Sequence, residues 1–271
     1  MRRSAERHVE PTEKHLDKKC QTANKRDNDR GLIGEPRALS IMNQNNSTTQ
    51  GSDERSIVER QILECAVAHD VSRDSSVTYF SMAESGMDSQ WSSMVWPRIQ
   101  GFDFSVTLDL AAGHGRNIEK LKSLAGEIYV VDVNQSCIDA CKARFGESDG
   151  KCRFHYLVND GCSLKGVPGG SITSVYSWDA MVHFDKFVVR RYILEFARVL
   201  KPGGRAFFHH SNYGHVASDA DWRSNPGWRS STTKEFVADS VREAGLELIS
   251  QDSIDSGGAP FDAITICRKL C

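Results

Sequence analysis

From residue 104 to the C-terminus, short apolar runs alternate with segments of helical period, and this alternation restricts the fold more than any other feature. FSVTLDL (104–110), EIYVVDV (127–133), KCRFHYLV (151–158) and ITSVYSW (172–178) read as strands, with helices at HGRNIEKLKSLA (114–125) and SCIDACKARF (136–145) between the first three. DKFVVRRYILEFARVL (185–200) places apolar residues at 189, 192, 193, 196, 199 and 200, the spacing of a helix buried along one face. Lys201-Pro-Gly-Gly204 stops it, and GRAFFHHS (204–211) is the next strand. Thr232-x-x-Glu235 has the form of a capping box for a helix at 233–244, and LELISQD (246–252) and FDAITICRK (261–269) close the chain as strands. Such alternation specifies an α/β domain, a parallel sheet with helices on both faces, for which roughly 200 residues suffice.

Upstream the composition changes. Residues 1–30 are nearly devoid of large apolar side chains and NQNNSTTQGS (43–52) is of low complexity, so a disordered polar tail is expected over 1–52, in which only Leu32-Ile33 and Leu39-Ser-Ile-Met42 could dock on anything, ahead of one domain at 53–271. Within that domain SDERSIVERQILECAVAHD reads as a helix capped by Ser52 or Asp53, and MDSQWSSMVWPRI (87–99) as a second helical stretch ending at Pro97; together 53–100 form a helical cover. Lys and Arg total 34 against 36 Asp and Glu, a net charge of −2, which argues against a nucleic-acid or membrane-surface binder. No apolar run is long enough to span a bilayer, and no apolar stretch follows Arg2-Arg3, so a cytoplasmic protein is expected. The eight cysteines form no Cys-x-x-Cys pair and are expected to be free thiols; Cys137 and Cys141 share a helix face, where two small buried residues or a redox or metal pair are the alternatives.

Ligands of open α/β sheets bind at the carboxyl ends of the strands. The first such turn is Asp109-Leu-Ala-Ala-Gly113-His-Gly115-Arg-Asn117. Gly113 and Gly115 fit the first two glycines of a dinucleotide fingerprint, but Ile118 stands at the third, so a pyrophosphate is not expected. Asp109 ahead of the glycines would repel phosphate and suit a positive ligand. Asp132, nineteen residues after Gly113 at the end of the second strand, can accept both ribose hydroxyls, and Asp160, after the third strand, can take an adenine amino group. The three carboxylates together imply a cationic adenosine ligand without phosphates.

This set resembles the class I S-adenosylmethionine-dependent methyltransferases over about residues 75–270. The family's first motif, D-x-G-x-G-x-G, reads DLAAGHG here, with Ala111 at the first glycine; Asp132 matches the ribose carboxylate, Asp160 the adenine partner, and LKPGG the turn before the fifth strand. The resemblance implies a Rossmann-like three-layer sandwich with a seven-stranded sheet, mostly parallel, whose last strand is antiparallel. It also implies S-adenosyl-L-methionine as cofactor, S-adenosyl-L-homocysteine as product, and Ala111, Gly113, Gly115, Asn117, Val133, Gly161 and Trp178 around the cofactor with the three carboxylates. Asn117 has helix capping as its alternative role.

In small-molecule O-methyltransferases of this type a histidine follows the fourth strand, which makes His183 the candidate general base, with a substrate hydrogen bond or a structural role as alternatives. His209 and His210 end the fifth strand on opposite faces, so only one can readily reach a pocket, and a satisfied buried histidine is as good a reading for each. Asp179, His183 and one of these histidines could surround a metal, but no spacing fixes ligands and none is expected. The cover contains Trp91 and Trp96, either of which could meet the sulfonium while the other packs in the core. The insert at 212–230 reads as an acceptor loop, with Asn212, Tyr213, Trp228, Arg229 and the nearby Asp179 as candidate substrate contacts. The expected acceptor is a small polar molecule methylated on a hydroxyl, sugar-containing or a natural product; the alternatives are a small amine and a non-catalytic cofactor-binding module that meets a partner through the tail. No nucleic acid or membrane partner is expected.

Overall fold

A computed structural model describes residues 55–70, 74–217, 221–255 and 259–271. The expected polar tail at 1–52 and the cap at Ser52 or Asp53 lie outside the described residues.

Seven strands form one sheet in the order β3-β2-β1-β4-β5-β7-β6: β1 (Val106–Leu110), β2 (Glu127–Asp132), β3 (Arg153–Val158), β4 (Ile172–Met181), β5 (Leu200–Ser211), β6 (Leu246–Ile254) and β7 (Asp262–Lys269). β3, β2, β1, β4 and β5 run parallel, while β7 is antiparallel to both β5 and β6. This is the Rossmann-like sheet that the alternation and the resemblance imply. The two apolar faces account for it. One buried cluster gathers Leu108, Leu110, Val175 and Phe208 with the inner faces of α7 (Lys186–Val199) and α8 (Lys234–Glu243). The other gathers Ile128, Val130, Tyr176 and Phe207 with α5 (Arg116–Leu121), α6 (Gln135–Phe145) and the segment 87–104. Central strands buried on both faces favour continuous apolar runs, as at 128–131 of β2, whereas β1 and β4 interleave buried small polar residues, Thr107, Ser174 and Ser177.

Local chemistry shifts some boundaries. α7 opens on Asp185, whose Oδ1 accepts from Phe187 N at 2.9 Å. α8 is capped one residue later than Thr232-x-x-Glu235 suggests: Thr233 Oγ1 accepts from Phe236 N, while Thr232 Oγ1 donates to the Phe184 carbonyl. Lys201-Pro-Gly-Gly204 ends α7 by entering β5 rather than a separate loop.

Upstream, α1 spans 55–68 and α2 Asp74–Ser85. The stretch 87–99 is α3 (Met87–Gln90), a π-helical turn (Trp91–Val95) and α4 (Trp96–Ile99). Pro97 does not end this stretch; it stands in the first turn of α4, where no N–H is required of it. The π turn has a consequence for the tryptophans, because residues five apart come into line there. Trp91 and Trp96 stack at 6.1 Å, and Trp91 also meets the buried Tyr176 at 6.4 Å.

Candidate active site

The turn after β1 is held from below by β2. Ala112 N donates to the Val131 carbonyl at 3.1 Å and Gly113 N to Asp132 Oδ2 at 2.9 Å, while Asp132 Oδ1 accepts from Asn134 N at 2.9 Å. Asp132 is buried, and burial raises its pKa against the backbone N–H groups that favour its charge. Each carboxylate oxygen keeps acceptor capacity beyond these bonds, the chemistry that two ribose hydroxyls require.

The turn is backbone-strained at one position. Ala111 has φ 58°, the left-handed region that glycine adopts without strain, and it stands where the family motif has its first glycine. Gly113 has φ +54°, and a Cβ there would lie 2.8 Å from Phe80, whose ring stacks on His114 at 4.0 Å. Gly115 has φ +82°, and a Cβ would lie 2.4 Å from the Phe145 ring. Gly115 therefore lets α5 approach α6; its role is packing.

A cleft of roughly 750 Å³ opens beside the turn. Ala111, Gly113, Asn117, Asp132, Val133, Trp178, Asp179 and His183 line it. It adjoins an apolar cleft of roughly 330 Å³ that shares Ala111, Asp132 and Val133 and is closed by Ile62, Gly161 and Tyr192. Asn117 is the second residue of α5, not its cap, and its Oδ1 accepts from Tyr176 Oη at 3.4 Å. Trp178 Nε1 donates to Gln90 Oε1 at 2.9 Å, which leaves its ring for the cleft.

His183 is buried in the turn after β4, at the cleft wall. Its Nδ1 lies 2.9 Å from the Trp228 carbonyl, and a carbonyl can only accept, so the proton of the neutral ring sits on Nδ1. Nε2 is buried with no hydrogen-bond partner among the described residues. Burial, then the neighbouring His69 ring at 4.9 Å, brings the His183 pKa down to about 4.

Residues 107–204 match the family described as "Methyltransferase domain". Residues 107–204 thus carry a methyltransferase domain, and the fold around them is the one seen in S-adenosylmethionine-dependent methyltransferases. No curated protein matches the chain in sequence. Among solved structures, an S-adenosylmethionine-dependent methyltransferase from Clostridium acetobutylicum is 13% identical, with a TM-score of 0.56 over 72% of this chain and 99% of that one. A chain from the Haloferax volcanii complex that contains the Trm112 methyltransferase activator is 19% identical, with a TM-score of 0.52 over 70% and 94%. The [4+2]-cyclase SpnF is 18% identical, with a TM-score of 0.52 over 67% and 80%. These likenesses show the shared fold.

The residues of the methyltransferase domain fit its cofactor: Asp132 has spare acceptor capacity where a ribose is expected, the turn at 111–115 brings backbone to the cleft edge, and the adjoining apolar cleft suits a nucleobase. Two of the expected carboxylates stand elsewhere. Asp109 is fully buried, lines neither cleft, and has neither oxygen hydrogen-bonded among the described residues; burial, with Asp132 nearby, raises its pKa well above the ordinary value. Its neighbours are Asp132 and Arg116, so it acts from beneath the turn and not at the mouth of the site. Asp160 is committed to its own turn: Oδ1 accepts from Cys162 N at 3.1 Å and Ser163 N at 2.7 Å, and Oδ2 from Ser163 Oγ at 2.8 Å. Burial opposes its charge, but these bonds bring the pKa below the usual value. Its neighbour Gly161 lines the apolar cleft instead.

The expected acceptor residues are largely occupied with holding the chain. His210 is saturated, Nδ1 at 2.9 Å from the Ser211 carbonyl and Nε2 at 2.8 Å from Thr265 Oγ1, and burial brings its pKa down to about 4. His209 lies behind Trp178, stacked at 4.5 Å, with Nε2 3.5 Å from Asp262, so it backs the cleft wall without lining it. Asn212 donates to the Pro260 carbonyl and accepts from Lys234 N, and Tyr213 packs edge-on to Phe261. Arg229 forms a two-pronged ion pair with Asp262 at 2.9 and 2.7 Å. Trp228 reaches the site through its carbonyl, and Trp91 lines a separate surface cleft with Trp96 and Lys120. Asp179 does line the main cleft, in the left-handed conformation at φ 57° and paired with Arg116 at 2.7 Å.

Arg116, His69 and His114, which the sequence did not mark, also stand on the cleft wall, and Phe80 of the expected helical cover joins them. Arg116 lies between Gly115 and Asn117 and was within reach of a closer reading of the turn. His69 stands in the turn just after α1 and Phe80 on α2, and nothing local marks which way either is turned toward the sheet. Among the described residues no three His, Cys, Asp or Glu side chains are grouped to hold a metal ion, and no helix is long and apolar enough to cross a membrane.

Proposed function

We propose that the protein transfers a methyl group to a hydroxyl of a small polar acceptor, with His183 taking the proton. When bound, the cofactor supplies an electrophilic methyl on a sulfonium, and in-line attack by an oxygen gives the methyl ether. The observation that carries the reading is the hydrogen-bonding state of His183: Nδ1 is committed to the Trp228 carbonyl, and Nε2 keeps its lone pair at the cleft wall. The low pKa keeps the ring unprotonated at neutral pH at the expense of basicity. That compromise suits an acceptor whose hydroxyl becomes strongly acidic as the new C–O bond forms, because a weak base then suffices. Asp132 holds the ribose, and Trp178, Asp179 and Arg116 border the methionine side.

The seven described cysteines are all free, which favours a reducing, cytoplasmic setting. Replacing His183 by Asn should lower kcat on a responsive acceptor by ~10²-fold or more while the cofactor Kd, read by calorimetry, stays within about twofold. Unchanged kcat at saturating acceptor would remove His183 from the reaction.

A further inference from the structure

We infer that the buried Arg229–Asp262 ion pair is a positioning device for His183: it holds the Trp228 carbonyl on Nδ1 and thereby selects the tautomer that leaves Nε2 unprotonated. The chain of contacts is continuous. Asp262, at the start of β7, has a side chain 2% exposed, and Arg229 one that is 19% exposed. Arg229 Nε and Nη2 donate to Asp262 Oδ1 and Oδ2, and Nη1 donates to the carbonyls of Pro226 and Gly227, both at 3.3 Å. One guanidinium thus ties the turn at 226–228 to the sheet. Asn225 Nδ2 closes the turn on the Arg229 carbonyl at 2.7 Å, and Ser230 N anchors the far side to the Val182 carbonyl at 2.9 Å.

Between these anchors Trp228 stands at φ 57°, a conformation that a bulky residue keeps only where its surroundings over-determine it. The residue is 42% exposed, and its ring meets His69 and Trp222 edge-on at 6.1 and 6.0 Å, so ring packing and the backbone clamp share that constraint. The product of the clamp is a carbonyl 2.9 Å from His183 Nδ1. The two tautomers of a neutral imidazole differ little in energy by themselves, so the hydrogen bond made by one nitrogen decides which carries the proton. His209 Nε2 also lies 3.5 Å from Asp262, but it makes no hydrogen bond there.

The kinetic consequence rests on the His183 reading above; the tautomer does not. The test is imidazole ¹⁵N NMR of the full chain at pH 7, with the His183 signals assigned by their loss in His183→Asn. In the unaltered protein Nε2 should be the unprotonated nitrogen in about nine-tenths of molecules or more. In Arg229→Gln that share should fall to about half, kcat should fall ~10-fold or more, and the cofactor Kd should stay within about twofold. Arg229→Lys, which keeps the charge and loses the fork, should fall between. A folded Arg229→Gln with unchanged His183 signals overturns the inference whatever happens to kcat. Full kcat in His183→Asn would sink the base reading and leave the tautomer result standing. Should Arg229→Gln not fold, Arg229→Gln/Asp262→Asn removes both buried charges, and the same signals decide.

Discussion

The β1–β2 edge and the 212–230 segment both brought polar residues to the carboxyl ends of strands, yet they use them in opposite ways. At the β1–β2 edge, Asp132 spends one backbone N–H bond on each oxygen and keeps capacity for a ligand. In the segment, Asn212 and Arg229 have their principal groups bound to the chain, as has His210 at the strand end before it, and the active site receives a main-chain carbonyl. A polar side chain near a strand end is available for chemistry only to the extent that folding has not already consumed its donors and acceptors.

That contrast can be broken by substitution. Asp132→Ala should cost the largest share of cofactor affinity, about 30- to 1,000-fold in Kd, since up to two hydrogen bonds to a charged group are lost. Calorimetry with S-adenosylmethionine reads it, and an unchanged Kd would remove Asp132 from the ribose. Gly115→Ala should lower stability by about 2–4 kcal/mol, from a left-handed backbone and a Cβ driven into the Phe145 ring. Its effect should appear first in thermal unfolding, and a stability equal to the parent's would contradict the packing role. His210→Ala should destabilise by about 2–3 kcal/mol, leaving Thr265 and the Ser211 carbonyl without their partner, while cofactor Kd stays within about twofold. If His210→Ala weakened the cofactor as Asp132→Ala does, the two regions would not differ as described.

A smaller effect tests the buried histidines by pH. His183 and His210 both have pKa values brought down to about 4, so the unfolded chain, near 6.5, binds protons more readily in between. Each therefore contributes stability that is fully present above about pH 6.5 and is lost as pH falls through 6.5 toward 4. Between pH 7 and 5 this amounts to about 2 kcal/mol per histidine, and denaturant titrations should find the pH 7-to-5 loss reduced by about that amount in His183→Asn.

Much of the domain was legible because its signals are local. Apolar runs of strand length, the amphipathic period of α7 and the left-handed turn around Gly113 and Gly115 depend on neighbours a few residues away. Asp132 was legible for the same reason, as the end of a strand whose length is written in its own apolar run. The roles of Trp91 and Asp160 were not. The first depended on a π turn that stacks residues five apart, and the second on Ser163 competing for the carboxylate.

By itself the sequence determined the α/β sheet, the order of its elements and the turn and carboxylate beside the cleft, since period and strand ends follow from short-range backbone geometry. Tertiary structure alone decided which polar groups stay chemically available. It alone placed the Trp228 carbonyl against His183, 45 positions earlier in the chain, because hydrogen-bond satisfaction is settled by whatever packing brings within 3 Å.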